Sequence, residues 1–78
     1  MLYRAAVRVV AELYWDGAYE IALRLNKTHP GMDLAEVSLQ KIFEWTLALS
    51  DFADDPALAN DEILSAILQE WFEETHPL

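Results

Sequence analysis

The chain is 78 residues long, 54% apolar and free of cysteine, and it carries a formal net charge of −9 at pH 7. This length predicts one domain, which buries only about 60% of the surface of its unfolded chain and therefore needs a dense core. The composition excludes disulfides and thiolate chemistry, and no apolar run approaches the ~20 residues of a membrane span.

The negative charge is concentrated near the C-terminus. Residues 1–14 have a net charge of +1, residues 15–50 of −2, and residues 51–78 of −8, because the last range holds eight acids and no base. Nucleic acids and anionic membrane surfaces would repel such a segment, whereas a basic protein surface or a cation would be attracted to it. The charge pattern therefore favours a protein partner or a metal ion.

The first predicted helix covers residues 2–14, and we treat residues 1–14 as an N-terminal extension of a domain spanning residues 15–78. Arg4, Arg8 and Glu12 recur on one face at four-residue spacing. A strand is the alternative for residues 7–10, because this run is rich in valine. The apolar face of the helix comprises Leu2, Ala5, Ala6, Val9, Val10 and Leu13.

The second helix is predicted to have Asp16 as its N-cap and to end before Pro30, since the residue preceding a proline avoids helical dihedral angles. Glu20 lies in its first turn, where the helix dipole favours a carboxylate. Gly17 either separates this helix from the first one or is tolerated inside one long helix. The buried stripe comprises Ala18, Ile21, Ala22 and Leu25.

A turn at residues 31–33 leads into a short helical turn, where Asp33 and Glu36 form a capping-box pattern. Ser38 is the predicted N-cap of the next helix, over residues 39–50. This helix is so apolar that we expect it at the centre of the fold. Its buried face comprises Leu39, Ile42, Phe43, Thr46, Leu47 and Ser50, widened by Trp45 and Leu49.

An acidic stretch over residues 50–62 connects this helix to the last one. Asp55 followed by Pro56 predicts an N-capped helical turn at residues 56–59, and Asn60 is the predicted N-cap of the last helix. The buried stripe of the last helix comprises Leu64, Ile67, Leu68, Trp71 and Thr75, flanked by Ile63 and Phe72.

Carboxylates are the abundant functional groups. Asp51, Asp54 and Asp55 offer hard oxygen ligands within five residues, which suits Ca²⁺, Mg²⁺, Mn²⁺ or Fe²⁺ better than Zn²⁺. The spacing is not that of an EF-hand, because Pro56 occupies the loop position that requires glycine. A second group, at the end of the last helix, comprises Glu70, Glu73 and Glu74. These six acids are the candidate metal ligands, and the alternative is that they form a solvated acidic face.

Catalysis is not expected. The chain lacks a Ser–His–Asp arrangement, a glycine-rich phosphate loop and an HExxH motif. His29 and His76 each precede a proline and are interpreted as loop or tail residues. A hydrolase with paired carboxylates needs a deep cleft that raises one pKa, and a chain of this size does not easily enclose one.

One succession of residues in the second half of the chain is specific. It consists of Asp51-Phe52, Asp54-Asp55-Pro56, Asn60, Ile63-Leu64, Ala66-Ile67, and Trp71 with Glu73-Glu74. Upstream it is joined by Trp15-Asp16, Glu20-Ile21-Ala22, Leu25, His29-Pro30, Asp33, Val37, Leu39, Trp45 and Leu49. Together these residues resemble the IscX family, small acidic proteins of the bacterial iron–sulfur cluster assembly system. The resemblance covers about residues 15–75, so residues 1–14 lie outside it.

The resemblance implies a mainly α fold, a small helical domain described as a modified winged helix without a clear sheet. It implies binding to the cysteine desulfurase IscS, at a basic surface that the bacterial frataxin homologue also uses. It further implies weak binding of ferrous iron (Fe²⁺) by exposed carboxylates, and a modulating role in the cytoplasm rather than catalysis. Ala53 departs from the family, which often has a third consecutive acid before the proline. Carried over by position, the candidate partner-binding residues are Asp16, Glu20, Asp33, Asp51, Asp54, Asp55, Glu73 and Glu74.

Two other functions fit parts of the sequence. A winged helix can bind nucleic acid, but a reader helix needs exposed Lys or Arg. The helix over residues 39–50 contains only Lys41, and the last helix contains neither residue type. The other alternative is an acidic helical protein-interaction module that dimerises through residues 1–14 and has no role in iron binding.

Overall fold

The computed structural model describes residues 12–76, so most of the helix predicted over residues 2–14 lies outside the described residues. Two 3₁₀ turns, Leu34–Glu36 and Pro56–Leu58, precede the second and third α-helices. The α-helices are α1 (Ala18–Thr28), α2 (Leu39–Leu47) and α3 (Asp61–Thr75).

The fold class predicted from the sequence is confirmed. Residues 12–76 form a small, mainly α domain without a named strand. No helix in this range combines the length and the apolar character that crossing a bilayer requires. The comparison with a winged helix stays a prediction.

The predicted caps explain where α2 and α3 begin. The Ser38 hydroxyl accepts a hydrogen bond from the Lys41 amide at 3.1 Å, and the Asn60 side chain accepts one from the Ile63 amide at 2.9 Å. Each bond satisfies an N–H group that the first turn of a helix leaves unpaired. Both predicted helix starts are therefore confirmed.

The two 3₁₀ turns are capped by aspartates, as predicted. Asp33 Oδ1 accepts a hydrogen bond from the Ala35 amide at 3.1 Å, and Asp55 Oδ1 accepts one from the Ala57 amide at 2.9 Å. Before the first turn, Gly31 has a φ of +73°, a left-handed conformation that glycine adopts without steric cost. One carboxylate oxygen of each aspartate is thus engaged in a hydrogen bond within its own turn.

Helix α1 begins one residue later than predicted, because Gly17 and not Asp16 is at the N-cap position. The Gly17 amide donates a hydrogen bond to Tyr14 O at 2.9 Å, so the chain turns sharply just before the helix. The prediction that Asp16 caps α1 is therefore wrong, and Gly17 does separate α1 from the preceding segment. The end of α1 before Pro30 is confirmed.

Residues 12–14 are extended rather than helical, and they join the core. The Leu13 amide donates to Asp51 O at 2.8 Å, and the Ala53 amide donates to Leu13 O at 2.9 Å. These two bonds form an isolated parallel bridge between Leu13 and Phe52. The Leu13 side chain is buried, so it belongs to the domain and not to the predicted extension.

Helix α2 ends at Leu47, before the predicted end at Ser50. The Leu49 amide donates to Thr46 O, and the Phe52 amide donates to Leu49 O, each at 3.1 Å. These successive turns bring Phe52 beside the first described residues. Pairing between distant parts of the chain therefore ends the helix earlier than its apolar pattern predicts.

Helix α3 is the centre of the fold, because its contacts with α1 and with α2 are both more extensive than the contact between α1 and α2. The prediction that the helix after Ser38 is central is therefore wrong. In the predicted stripe of α3, Leu68 is half-buried and Thr75 is exposed, and the other members are buried. The core of the described residues comprises Leu13, Trp15, Ile21, Ala22, Leu25, Leu34, Val37, Ile42, Leu64, Ile67 and Trp71.

The end of α1 is held by aromatic side chains of the other two helices. The His29 ring stacks on Trp45, with 4.0 Å between the ring centroids. Trp71 Nε1 donates a hydrogen bond to Asn26 Oδ1 at 3.1 Å. His29 is a loop residue, as predicted, and it also packs between elements.

Candidate partner-binding surface

The described part of the chain is more acidic than the chain as a whole. All 14 acids lie within residues 12–76, whereas Arg4 and Arg8 lie outside, so 14 acids face three bases and the net charge there is −11. A negative surface on this scale attracts basic partners and raises the rate at which they associate.

Trp15 anchors the acidic loop that precedes α3. Its side chain is only 4% exposed, and it lies 6.2 Å from the Phe43 ring in a stacked arrangement and 4.6 Å from the Phe52 ring edge-on. Its Nε1 donates to Asp55 O at 2.8 Å, and its backbone N donates to Asp54 Oδ2 at 2.9 Å. Trp15 therefore holds the loop through both its ring and its backbone.

The three aspartates of this loop serve the fold. Asp51 forms an ion pair with Arg24 of α1. Asp54 accepts hydrogen bonds from the backbone amides of Trp15 and Asp55, at 2.9 and 2.7 Å. Asp55 caps the 3₁₀ turn that follows it. Asp51 is thus compensated by a base, and Asp54 and Asp55 each use acceptor oxygens within the loop itself.

The hydrogen bond that Arg24 donates is the main reason why the pKa of the Asp51 carboxyl is lowered from 3.8, although burial opposes the shift. A carboxyl with a lowered pKa in the folded state stabilises the fold above its unfolded pKa. That contribution is lost as the pH falls through the folded-state pKa.

The substitution Asp51→Asn tests this pairing through the pH dependence of stability. We expect the variant to be less stable than the parent at neutral pH. The difference should shrink as the pH falls from 3.8 through the lowered pKa of the folded state, because Asp51 then becomes protonated in the folded parent too. Urea unfolding of both chains over this pH range measures the difference. Glu36→Gln, at an exposed site, controls for the change in net charge. A difference that stays constant with pH would contradict the assignment.

A second group of acids is brought together by α1 and α3 around Tyr19. Tyr19 OH donates to Glu74 Oε1 at 3.4 Å. The charge of Glu74 raises the pKa of the Tyr19 phenol most, burial adds to the shift, and the charges of Glu70 and Glu20 contribute less. We call Tyr19, Glu20, Glu70 and Glu74 the acidic cluster.

The acidic cluster faces solvent. Glu20 and Glu74 are exposed, Glu70 is half-buried, and Tyr19 is 47% exposed. The two ion pairs found within residues 12–76 lie elsewhere, so none of these carboxylates is paired with a base in the described part of the chain. A basic surface on another protein would complement this cluster.

The other predicted binding residues do not join the cluster. Asp16 and Asp33 lie in the segments before and after α1. Glu73 Oε2 accepts a hydrogen bond from Gln69 Nε2 at 2.7 Å on the surface of α3. The structure thus brings together one helical group of acids and separates it from the aspartates of the loop.

Two exposed tyrosines were missed by the sequence analysis. Tyr14 OH donates to Glu12 Oε1 at 2.7 Å, and this bond, with a smaller contribution from the Asp54 charge, raises the pKa of Tyr14. In the acidic cluster, the Tyr19 hydroxyl likewise donates a hydrogen bond to a carboxylate, that of Glu74. Their exposure could have been predicted from the sequence, because neither tyrosine belongs to a predicted apolar stripe.

The described carboxylates do not form a preorganised metal site. Within residues 12–76, no group of three or more Asp, Glu or His side chains is placed to hold one ion. Asp51 Oδ2 pairs instead with Arg24, and Asp54 and Asp55 accept hydrogen bonds from backbone amides, whereas the buried Asp51 Oδ1 has no hydrogen-bond partner among the described residues. The residues present therefore do not fit a resident iron centre.

Comparisons with known proteins relate this chain to one protein family and to a relative of similar length. A sequence model of the family described as "Iron-sulphur cluster assembly" matches residues 13–76, a range that begins at the buried Leu13. The chain is also similar to an uncharacterised protein of Pseudomonas aeruginosa, PA3808. The two sequences are 34% identical over 62 residues, which cover 80% of this chain and 94% of the relative.

Proposed function

This chain belongs to the iron–sulphur cluster assembly family, and we propose that it acts there as a non-catalytic acidic adaptor. Its proposed partner is a cysteine desulfurase in the cytoplasm, at a basic surface for which a frataxin homologue competes. The family assignment supports the role in cluster assembly. The choice of partner is supported by the resemblance in sequence and by the charge of the surface.

The acidic cluster is the observation that supports this proposal best. Three carboxylates from two packed helices face solvent and have no base beside them among the described residues. Because helices hold their backbone, little backbone entropy is lost when a partner binds. The charge of −11 over residues 12–76 adds long-range attraction toward a basic surface.

We propose that Fe²⁺ is at most a weakly held cargo of this protein. The loop aspartates are engaged within the fold, so they are poor candidates for a preformed site. Glu70 and Glu74, one turn apart on α3, are the remaining predicted ligands that lie together. Two carboxylates leave most of the coordination sphere to water, which favours weak binding.

The proposal predicts that desulfurase binding weakens strongly with salt. Between about 0.1 M and 1 M salt the Debye length falls from about 10 Å to about 3 Å, which screens the attraction between exposed charges. We expect the Kd, measured by calorimetric titration of purified desulfurase, to rise by about tenfold or more over this range. A Kd that does not change with salt would rule out an adaptor that binds through its charge.

A further inference from the structure

A groove beside the acidic loop exposes apolar surface that the rest of the described chain leaves uncovered. Leu58 is 58% exposed and Tyr14 is 44% exposed, and both line the groove. Two carboxylates, those of Asp16 and Asp54, also line it. An apolar surface with carboxylates at its edge suits a basic amphipathic segment. The groove has a volume of about 430 Å³ and is lined by Tyr14, Trp15, Asp16, Asp54, Leu58 and Ile63.

The chain itself carries such a segment next to the groove. The described residues begin at Glu12, and hydrogen bonds fix the Leu13 backbone to the acidic loop. Tyr14, the next residue, is part of the groove wall. Residues 1–11 are thus tethered at the edge of the groove, and so short a tether gives an effective concentration on the order of millimolar.

The residue pattern of this segment matches the groove in charge and in apolar character. Arg4 and Arg8 are the charged side chains of residues 1–11, which therefore carry +2 beside a domain of −11. Eleven helical residues span about 16 Å, and so short a helix is marginally stable unless it packs against something. The apolar side chains at helical spacing are those of Leu2, Ala5, Ala6, Val9 and Val10.

We propose that residues 1–11 dock on this groove of their own chain. The apolar face of the segment packs over Leu58 and Ile63, and its two arginines pair with the two carboxylates of the groove. The acidic cluster around Tyr19 is not part of this groove, so the inference goes beyond the proposed function and does not depend on it.

A second groove of the described residues is a poorer match for the segment. It has a volume of about 380 Å³, and none of its lining side chains is charged, so it offers no partner to the arginines. It is lined by Leu34, Ala35, Ser65, Leu68, Gln69 and Phe72.

A paramagnetic spin label at residue 7 of the full chain tests the docking. The chain has no cysteine, so Val7→Cys gives the label one attachment site, off the apolar face of the segment. In NMR spectra of the methyl groups, we expect loss of the Leu58 and Ile63 signals. The signals of Leu34 and Leu68, in the second groove, should be much less reduced. Unchanged Leu58 and Ile63 signals, or equal losses in both grooves, would overturn the proposal.

Two controls distinguish docking within one chain from nonspecific contact and from exchange between two copies. Val9→Asp places a charge on the apolar face and should restore the Leu58 and Ile63 signals while the rest of the spectrum is retained. In a mixture of spin-labelled chains and isotope-labelled chains without the spin label, we expect no signal loss. Loss in the mixture would mean that the segment of a second copy occupies the groove, which would overturn the proposal. Failure of Val9→Asp to restore the signals would also overturn it.

Discussion

Replacing Trp15 with alanine is expected to lower the free energy of unfolding by about 3–5 kcal/mol, the usual effect of truncating a buried aromatic side chain. The Trp15 ring packs between Phe43 and Phe52, and its Nε1 donates the hydrogen bond to Asp55 O that holds the acidic loop. Small domains have a total stability of only about 5–15 kcal/mol, so the variant should lose much of its resistance to urea. Urea unfolding followed by circular dichroism measures the change.

Two control substitutions separate the contributions of Trp15. Trp15→Phe keeps an aromatic ring and removes the indole donor, so we expect a smaller loss of about 1–3 kcal/mol from the lost hydrogen bond to Asp55 O and the reduced packing. Tyr19→Ala, at a site that is 47% exposed, should lower stability by less than about 1 kcal/mol. A Trp15→Ala variant as stable as Tyr19→Ala would show that Trp15 does not anchor the loop.

The helix starts were predictable because their determinants are local. The Ser38 and Asn60 side chains each bond to an amide three residues further along the chain. Asp55 caps the turn that Pro56 begins, over an equally short distance. When both partners of a capping hydrogen bond lie within a few residues of each other, the start of the helix can be predicted without knowledge of the tertiary structure.

The errors arose where distant residues decide the local conformation. The bridge between Leu13 and Phe52 makes the segment before α1 extended and ends α2 early. It joins residues 39 positions apart, which a helical pattern of apolar residues does not reveal. The central position assigned to α2 failed for a related reason, because apolar content alone does not show which helix has the most extensive contacts with the other two.

The residue types of the candidate site were predictable from the sequence. Which of these residues lie together was only partly predictable. The resemblance to a family identified most of the acids, including Glu20 and Glu74 of the acidic cluster. It did not show that Arg24 compensates Asp51, since the two residues are 27 positions apart. It also did not show that α1 and α3 bring Tyr19 to Glu74, because that contact arises from helix packing.

Neutralising the acidic cluster is expected to weaken desulfurase binding by about tenfold or more. The triple variant Glu20→Gln/Glu70→Gln/Glu74→Gln removes three charges and preserves the shape of the side chains. Exposed ion pairs each contribute about 0.2–1 kcal/mol, so three of them contribute about 1.5 kcal/mol, which corresponds to about tenfold in Kd. Stability should change little, because the relief of repulsion between Glu70 and Glu74 and with the end of the α3 dipole offsets the loss of the favourable Glu20 charge in the first turn of α1.

A matched control changes the net charge equally on other elements. Glu36→Gln/Glu44→Gln/Glu62→Gln alters exposed acids of the first 3₁₀ turn, of α2 and of the first turn of α3. These side chains are not part of the acidic cluster, so the control should lose only the long-range share of the attraction, about twofold to threefold in Kd. Circular dichroism of both triple variants should show an intact helical fold.

The most direct test of the account is the Kd of purified cysteine desulfurase for these two triple variants, measured by calorimetric titration in one buffer of physiological ionic strength. We predict that the cluster variant binds several times more weakly than the control variant, although both carry the same net charge. Equal Kd values for the two variants would show that the acidic cluster is not the surface that meets the partner.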